Sequence, residues 1–352
     1  MILAGDIGGT QTTLAVFAAT GGPGGPDGPG GPDGQRPGFV RDSAIVERYS
    51  SRDFASFDEI LGDFYGRHRP RLVAACIGIA GPVRENRCTA TNLPWTVEGA
   101  ELARLTGLGE FRLLNDLEAV GYGIDTLEPQ EILELQAGAP VPGAVGNRAV
   151  IAAGTGLGEA GLFWDGDVWR PFATEGGHAD FAPKDELEIA LLRFLQRDHE
   201  RVSWERVLSG PGLADIYRFL LETQGGPDSE PPGLVEEMRA GEPAAVIAKY
   251  AARDRSATCV RAMELFARLY GAEAGNLALQ MMATGGLYIG GGIAPKNLRY
   301  LQTGSFLEAF LAKGRMRPLL EAMPVRILLN TRTALLGAAR CAAMSRESSA
   351  TS

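Results

Sequence analysis

Ile2-Leu-Ala-Gly-Asp-Ile-Gly-Gly-Thr-Gln-Thr-Thr-Leu-Ala-Val-Phe-Ala18 runs apolar, meets an acid and a glycine pair, and then resumes as a second apolar, Thr-rich run. Ile2 to Asp6 reads as a buried strand. Thr12 to Ala18 reads as another, rich in the β-branched and aromatic residues that suit a pleated surface. A strand, the turn Gly8-Gly9-Thr10 and a strand make a hairpin. A dinucleotide-binding loop would lead from strand to helix instead. The same pattern returns further along, where Arg148 to Ala153 enters Gly154-Thr-Gly-Leu-Gly158 and Glu159 to Trp164 follows as a strand. That recurrence is the one hint of internal duplication.

Outward from these hairpins, strands alternate with helices. Leu72 to Ala80 is a continuous apolar strand ending at Gly81-Pro82, and Phe111 to Leu114 a shorter one ending at Asn115-Asp116. Lys184 to Arg197, Gly212 to Thr223 and about Ser256 to Met282 read as helices. Leu287 to Ile289 is a short strand feeding Gly290-Gly291-Gly292. Val325 to Leu329 is the last strand and Ala334 to Met344 the last helix. This alternation predicts an α/β fold. Residues 21–38 are almost wholly Gly, Pro and Asp, which bury too little apolar surface to offset ordering. They are expected to be a flexible hairpin tip and a surface insertion.

A chain of 352 residues exceeds what one core usually supports, so two domains are expected. The net charge of −9 opposes a nucleic-acid or anionic-membrane surface, though not a small phosphorylated ligand, because backbone amides bind phosphate without net positive charge. Asp6 comes too early for the apolar core of a signal peptide, and the longest apolar stretch, Leu72 to Val83, falls far short of the ~20 residues a membrane span needs. Cysteines at 76, 88, 259 and 341 form no C-x-x-C pair, which predicts reduced packing thiols in a cytoplasmic protein.

Several chemistries fall away. No P-loop pattern occurs, three histidines at 68, 178 and 199 cannot supply H-E-x-x-H, and no G-x-S-x-G elbow is present. Three glycine turns remain, at 8–10, 154–156 and 290–292. Glycine permits positive φ and carries no Cβ, so successive N–H groups can converge on phosphate oxygens, and Thr10 and Thr155 add hydroxyls. Asp6 precedes the first turn, where a carboxylate could hold the hydration shell of a phosphate-bound Mg²⁺. Asp116 ends an apolar strand, a position for a catalytic group or for a helix N-cap. Glu175-Gly-Gly-His178 reads as a mobile loop or as donors and acceptors around a polyhydroxylated ligand.

Taken in order, Gly5-Asp-Ile-Gly-Gly-Thr10, Asn115-Asp116, Gly154-Thr-Gly-Leu-Gly158, Glu175-Gly-Gly-His-Ala-Asp-Phe-Ala-Pro183, Glu205-Arg-Val-Leu-Ser-Gly-Pro-Gly-Leu213 and Gly290-Gly-Gly-Ile293 resemble the bacterial ATP-dependent glucokinase family, within the hexokinase and actin-like ATPase superfamily. The resemblance spans residue 2 to about 343. It implies a duplicated ribonuclease H-like (actin-type ATPase) fold with two α/β domains around a central cleft, a small one of 1–115 plus 332–346 and a large one of 116–331. It implies transfer of the γ-phosphoryl of ATP to the 6-hydroxyl of D-glucose, with Mg²⁺, to give glucose 6-phosphate for glycolysis.

By the same resemblance Asp116 is the general base and Asn92, Asn115, Asp116, Glu175, His178 and Glu205 meet the sugar. Asp6, Gly8, Gly9, Thr10, Gln11, Gly154, Thr155 and Gly156 serve the phosphates, and Gly290, Gly291 and Gly292 the adenosine. Gln11 departs from the Asn of the family pattern. A homodimer is implied, with domain closure around the sugar that keeps water from competing as nucleophile. Two other readings stay open on the residues: a kinase for another hexose or phosphoryl donor, and a non-catalytic sugar sensor. Neither end of the chain shows a helix-turn-helix that would favour a transcriptional repressor.

Overall fold

In the computed structural model, which describes residues 1–21, 38–139, 143–225 and 230–348, the strand Ile2–Ile7 pairs antiparallel with Gln11–Thr20 and parallel with Ala74–Ile79. The turn between the first two closes through Gly8 N–H donating to the Gln11 carbonyl at 2.9 Å. Gly38–Ser50 extends the sheet at one edge and Arg112–Asn115 at the other, so that five strands stand side by side. Successive residues of the first strand serve opposite faces, as the period of two requires. Leu3 and Ile7 join Phe57, Ile60, Leu61 and Phe64 on one face, while Ile2 and Ala4 join Leu335, Leu336, Ala338 and Ala339 on the other. A three-stranded antiparallel sheet, Val83–Arg84, Arg87–Thr89 and Thr96–Glu98, belongs to the same unit.

This first compact unit comprises Met1–Glu131, Asp167–Ala173 and Asn330–Ser352. It therefore runs past the boundary expected at 115, and packing is the reason. The helix Asp116–Gly123 lies on the strand Ala74–Ile79 through Gly78, where a Cβ would stand 2.9 Å from that of Ala119. It crosses the C-terminal helix Thr333–Ser348 at backbone contact: a Cβ on Gly337 would lie 1.8 Å from the Ala119 carbonyl oxygen, and one on Gly123 would lie 2.1 Å from that of Thr333.

The second unit comprises Ile132–Gly166 and Thr174–Leu329. Five of its strands run in the order Leu157–Trp164, Arg148–Ala153, Gly286–Gly290, Val325–Leu328, Ile132–Gln136. Arg148–Ala153 pairs antiparallel with the strand after its glycine turn and parallel with Gly286–Gly290, repeating the arrangement around Ile2–Ile7. The duplication hinted at by the hairpins is thus present. The long helix Ala257–Met281 is buried along most of its length, and its Tyr270 hydroxyl accepts from Ala153 N–H at 3.1 Å.

Other elements are additions to the sequence reading. The edge strand Gly38–Ser50 alternates half-buried and exposed residues, and Phe57–His68 is a helix capped by Ser56, whose hydroxyl accepts from Glu59 N–H at 3.3 Å. Apart from its end residues, the 21–38 tract lies outside the described residues. The four cysteines are free and buried. Among the described residues no helix is long and apolar enough to cross a membrane.

Gly337→Ala tests the helix crossing. The added methyl meets backbone, which cannot swing aside, so unfolding in urea should show a loss of about 1–3 kcal/mol, the usual cost of overpacking. Unchanged stability would mean that the two helices do not approach this closely.

Candidate functional site

In the first unit, Ile7, Ile79 and Asn115 stand abreast in parallel register, and the expected site residues gather at this carboxyl end of the strands. Asp6 neighbours Gly78 in the sheet, on the face covered by the helix Asp116–Gly123. Asp6 is half-buried, and removal from water pushes its carboxyl up to about 6. Thr10 and Gln11 are exposed at the turn. A Cβ on Gly9 would meet that of Asn92 at 2.8 Å, so Asn92 packs directly on the first glycine turn.

Asn115, not Asp116, caps the helix. Its Oδ1 accepts from Leu117 N–H at 2.9 Å, and Glu118 returns a carboxylate oxygen to Asn115 N–H at 3.0 Å, which completes a capping box. The same amide donates from Nδ2 to the Gly81 carbonyl at 3.1 Å. Asn115 is buried and its amide is engaged at both ends. Asp116 takes the first helical position, half-buried, with Oδ1 accepting from Leu117 N–H at 3.0 Å. The N-cap alternative for Asp116 is set aside, because its neighbour does that work.

In the second unit two of the glycine turns meet. Gly291 has a φ of 80°, and a Cβ there would lie 2.6 Å from the Ala153 carbonyl oxygen, so the 290–292 run rests on the residue before Gly154. Gly154 N–H donates to the Gly156 carbonyl at 2.8 Å, and the Gly154 carbonyl accepts from Gly210 N–H at 2.8 Å. The N-terminus of the helix Gly210–Gln224 therefore reaches the same turn. Thr155 is exposed at its tip.

Glu175, His178 and Glu205 are also brought together. His178 Nε2 lies 3.8 Å from Glu175 Oε2, and its Nδ1 lies 3.8 Å from Glu205 Oε1. Glu205 Oε2 accepts from Leu157 N–H at 3.0 Å, which ties this group to the second glycine turn. A Cβ on Gly156 would lie 2.5 Å from that oxygen. The 175–178 loop is a single turn of 3-10 helix over Gly176–His178. Arg201 pins it, with Nη2 donating to the His178 carbonyl at 2.5 Å and Nε to Asp180 at 2.6 Å.

Sequence reasoning passed over several supports. Ser51 N–H donates to the Thr10 carbonyl at 3.0 Å and its hydroxyl to the Gly8 carbonyl at 2.9 Å, fixing the first turn. Thr12 completes this buried contact, its hydroxyl 2.9 Å from that of Ser51. The alternation of Gly38–Ser50 could have placed Ser51 at a strand end, but no local signal links it to Gly8. Gly210 stood within a quoted motif, and Pro211 at the start of its helix was the available sign.

A family model described as Glucokinase matches residues 3–345. A glucokinase of Nostoc punctiforme is 40% identical over 355 residues, covering 97% of this chain and 99% of its own length. One from Nostoc sp. is 41% identical over 356 residues, with the same coverage of 97% and 99%. Among solved structures, a glucokinase from an Antarctic psychrotroph is 28% identical with a TM-score of 0.77, covering 97% of this chain and 98% of its own.

Proposed function

The chain belongs to the glucokinase family, and from that premise we propose how its residues divide the transfer of the γ-phosphoryl of ATP to the 6-hydroxyl of glucose. The chain is an ATP-dependent hexose kinase with the duplicated ribonuclease H-like (actin-type ATPase) fold. Asp116 is the general base. The observation that supports this most is the capping box, which leaves a half-buried carboxylate at the strand end without the duty of capping. A sugar hydroxyl is a poor nucleophile, and a carboxylate placed to accept its proton contributes ~10²–10⁴-fold.

Glu175, His178 and Glu205 hydrogen-bond the sugar hydroxyls, with Asn92 and Asn115 as further sugar contacts. A hydroxyl of the wrong epimer leaves one of these groups unpaired at ~1–3 kcal/mol, which selects for glucose. The amides of 8–10, with Gln11, and of 154–156 hold the phosphates, and 290–292 borders the adenosine. The closeness of 290–292 to 154–156 is consistent with one nucleotide touching both.

Mg²⁺ fits these residues only in part. Among the described residues no group of three or more His, Cys, Asp or Glu could hold a metal. Asp6 is a carboxylate destabilised by burial beside the phosphate turn, which suits an ion carried on the nucleotide and held through its waters. Bound there, Mg²⁺ would neutralise charge on the transferring phosphoryl. We also propose that the protein is a cytoplasmic homodimer; light scattering at a monomer mass would refute the dimer.

Asp116→Asn decides the base assignment. Glucose binding measured by calorimetry should persist while kcat falls about two to four orders of magnitude in a coupled assay of ADP release. Near-normal turnover would remove Asp116 from the chemistry, and no glucose-dependent ADP from the unmodified protein would overturn the whole reading. Asp6→Asn should raise the Mg²⁺ concentration for half-maximal rate and weaken Mg·ATP binding, with the glucose KM little changed. An effect on glucose alone would place Asp6 elsewhere.

A further inference from the structure

Two buried acids take no part in the steps above. Glu159, on the strand Leu157–Trp164, and Glu273, in the middle of the helix Ala257–Met281, are each 2% exposed. Burying a lone carboxylate is costly, so such groups persist only where something satisfies them. Glu159 lies directly under the 175–178 loop: a Cβ on Gly176 would stand 2.0 Å from its Oε2. Thr174 adds a second tie, its hydroxyl donating to the Glu159 carbonyl at 3.1 Å and accepting from Gly176 N–H at 3.3 Å. Glu159 Oε1 is buried with no donor among the described residues. The neighbouring group that raises the Glu159 carboxyl beyond burial alone is the Glu273 carboxyl, and two buried carboxyls are compatible side by side only if one carries a proton.

Glu273 is anchored from its other side. Asn276 Nδ2 donates to its Oε2 at 2.7 Å, and Asn276 Oδ1 accepts from Lys313 Nζ, which also donates to the Ala272 carbonyl at 2.8 Å. Contacts thus run from Lys313 through Asn276 to Glu273, and from Glu159 to the backbone of Gly176, with the two acids acting on each other between them.

We propose that Glu159 and Glu273 share a proton and act as a positioning pair, a rigid floor that sets the Glu175–His178 loop for the sugar. This rests on the reading that the 175–178 loop binds glucose. Burial pushes both carboxyls up, and at Glu159 the charge of Glu273 adds to it. At Glu273 the Asn276 amide, Lys313 and Lys184 work the other way, so the pair as a whole keeps one proton and one charge. The remaining groups nearby are the Tyr270 phenol, pushed up by burial and then by Glu159, and Glu188, which faces Lys313 and pairs with Arg268 at 3.0 Å. A raised acid loses stability relative to the unfolded chain as pH climbs from the ordinary carboxyl value to the raised one, but within the folded protein it keeps its proton until pH nears the raised value. The floor should therefore hold at neutral pH and loosen on the alkaline side, as a second negative charge forms beside the first.

The test is the glucose KM as a function of pH in the full-length enzyme. In the unmodified protein it should be flat near neutrality and rise as pH passes about 8, the value to which Glu159 is pushed, while the ATP KM stays level. Glu159→Gln can donate to Glu273 at every pH and should abolish that rise. Glu159→Ala, which removes the floor, should raise the glucose KM roughly tenfold or more at neutral pH, the cost of a misplaced polar contact, with the ATP KM unchanged. A Gln variant whose profile overlays the unmodified one would overturn the proposal, whether or not the Ala variant folds. So would variants that lose only thermal stability. Glu175→Ala and His178→Ala separate the two levels. If they leave the glucose KM untouched, the loop does not bind sugar and the floor has no such role. If they raise it while Glu159→Gln behaves as unmodified, the loop assignment stands and the pair alone is refuted.

Discussion

The contact between Gly337 and the backbone of Ala119 is what the placement of the helix Asp116–Gly123 in the first unit depends on. It lets the C-terminal helix and the helix Asp116–Gly123 touch without intervening side chains. Gly78 makes the equivalent concession beneath, where the sheet meets Ala119. The Asp116 helix is thereby held from two sides at distances that a single methyl would violate. Asn115 then fixes where that helix begins, joining its first turn to the Gly81 carbonyl. The base proposed at Asp116 must be placed to within a fraction of an ångström, and close-packed backbone defines a position better than flexible side chains do.

The second unit solves a similar problem with carboxylates against glycines. Gly156 admits Glu205 Oε2, and Gly176 admits Glu159 Oε2. Gly177 sits so close to Leu157 that a Cβ would lie 2.1 Å from its carbonyl oxygen. Each glycine removes the bulk that would otherwise lift the 175–178 loop or the 154–156 turn away from its support. Glu205 links the two through Leu157 N–H on one oxygen and His178 near the other. The 154–156 turn and the 175–178 loop are therefore joined through one side chain.

Much of this was legible in the sequence, and the reasons differ by residue. The hairpins at 2–18 and 148–164 announced themselves because a strand face has period two and a glycine turn interrupts it visibly. The glycine turns, Asp116 and the 175–178 loop stood out because their chemistry is concentrated in adjacent residues. Ser51 and Thr12 did not, since Ser51 reaches Gly8 from 43 positions along the chain and Thr12 meets Ser51 from 39, and pairing of that kind leaves no local trace. The boundary of the first unit was misplaced for the same reason. That Asp116–Gly123 packs on Thr333–Ser348 depends on small residues far apart in the chain. Asn115 and Asp116 are adjacent, yet which of them caps the helix is a question of one residue's φ and ψ. Composition is silent on that point.

The acids show why burial, more than identity, sorts function here. Asp116 is half-buried and Glu175 and Glu205 are partly or largely open, so a ligand can reach each of them. Asp6 is held where its charge is costly, and a cation would relieve that cost. Glu159 and Glu273 are shut away, and among the described residues what eases them is each other, Asn276 and the charges of Lys313 and Lys184. In the sequence Glu159 stands one residue beyond a phosphate motif and Glu273 in an apolar helix, with nothing to connect them. Only the fold turns two unfavourable burials into one shared proton. Because Glu159 Oε2 lies against Gly176, a change of charge on the pair would bear directly on the loop that carries Glu175 and His178.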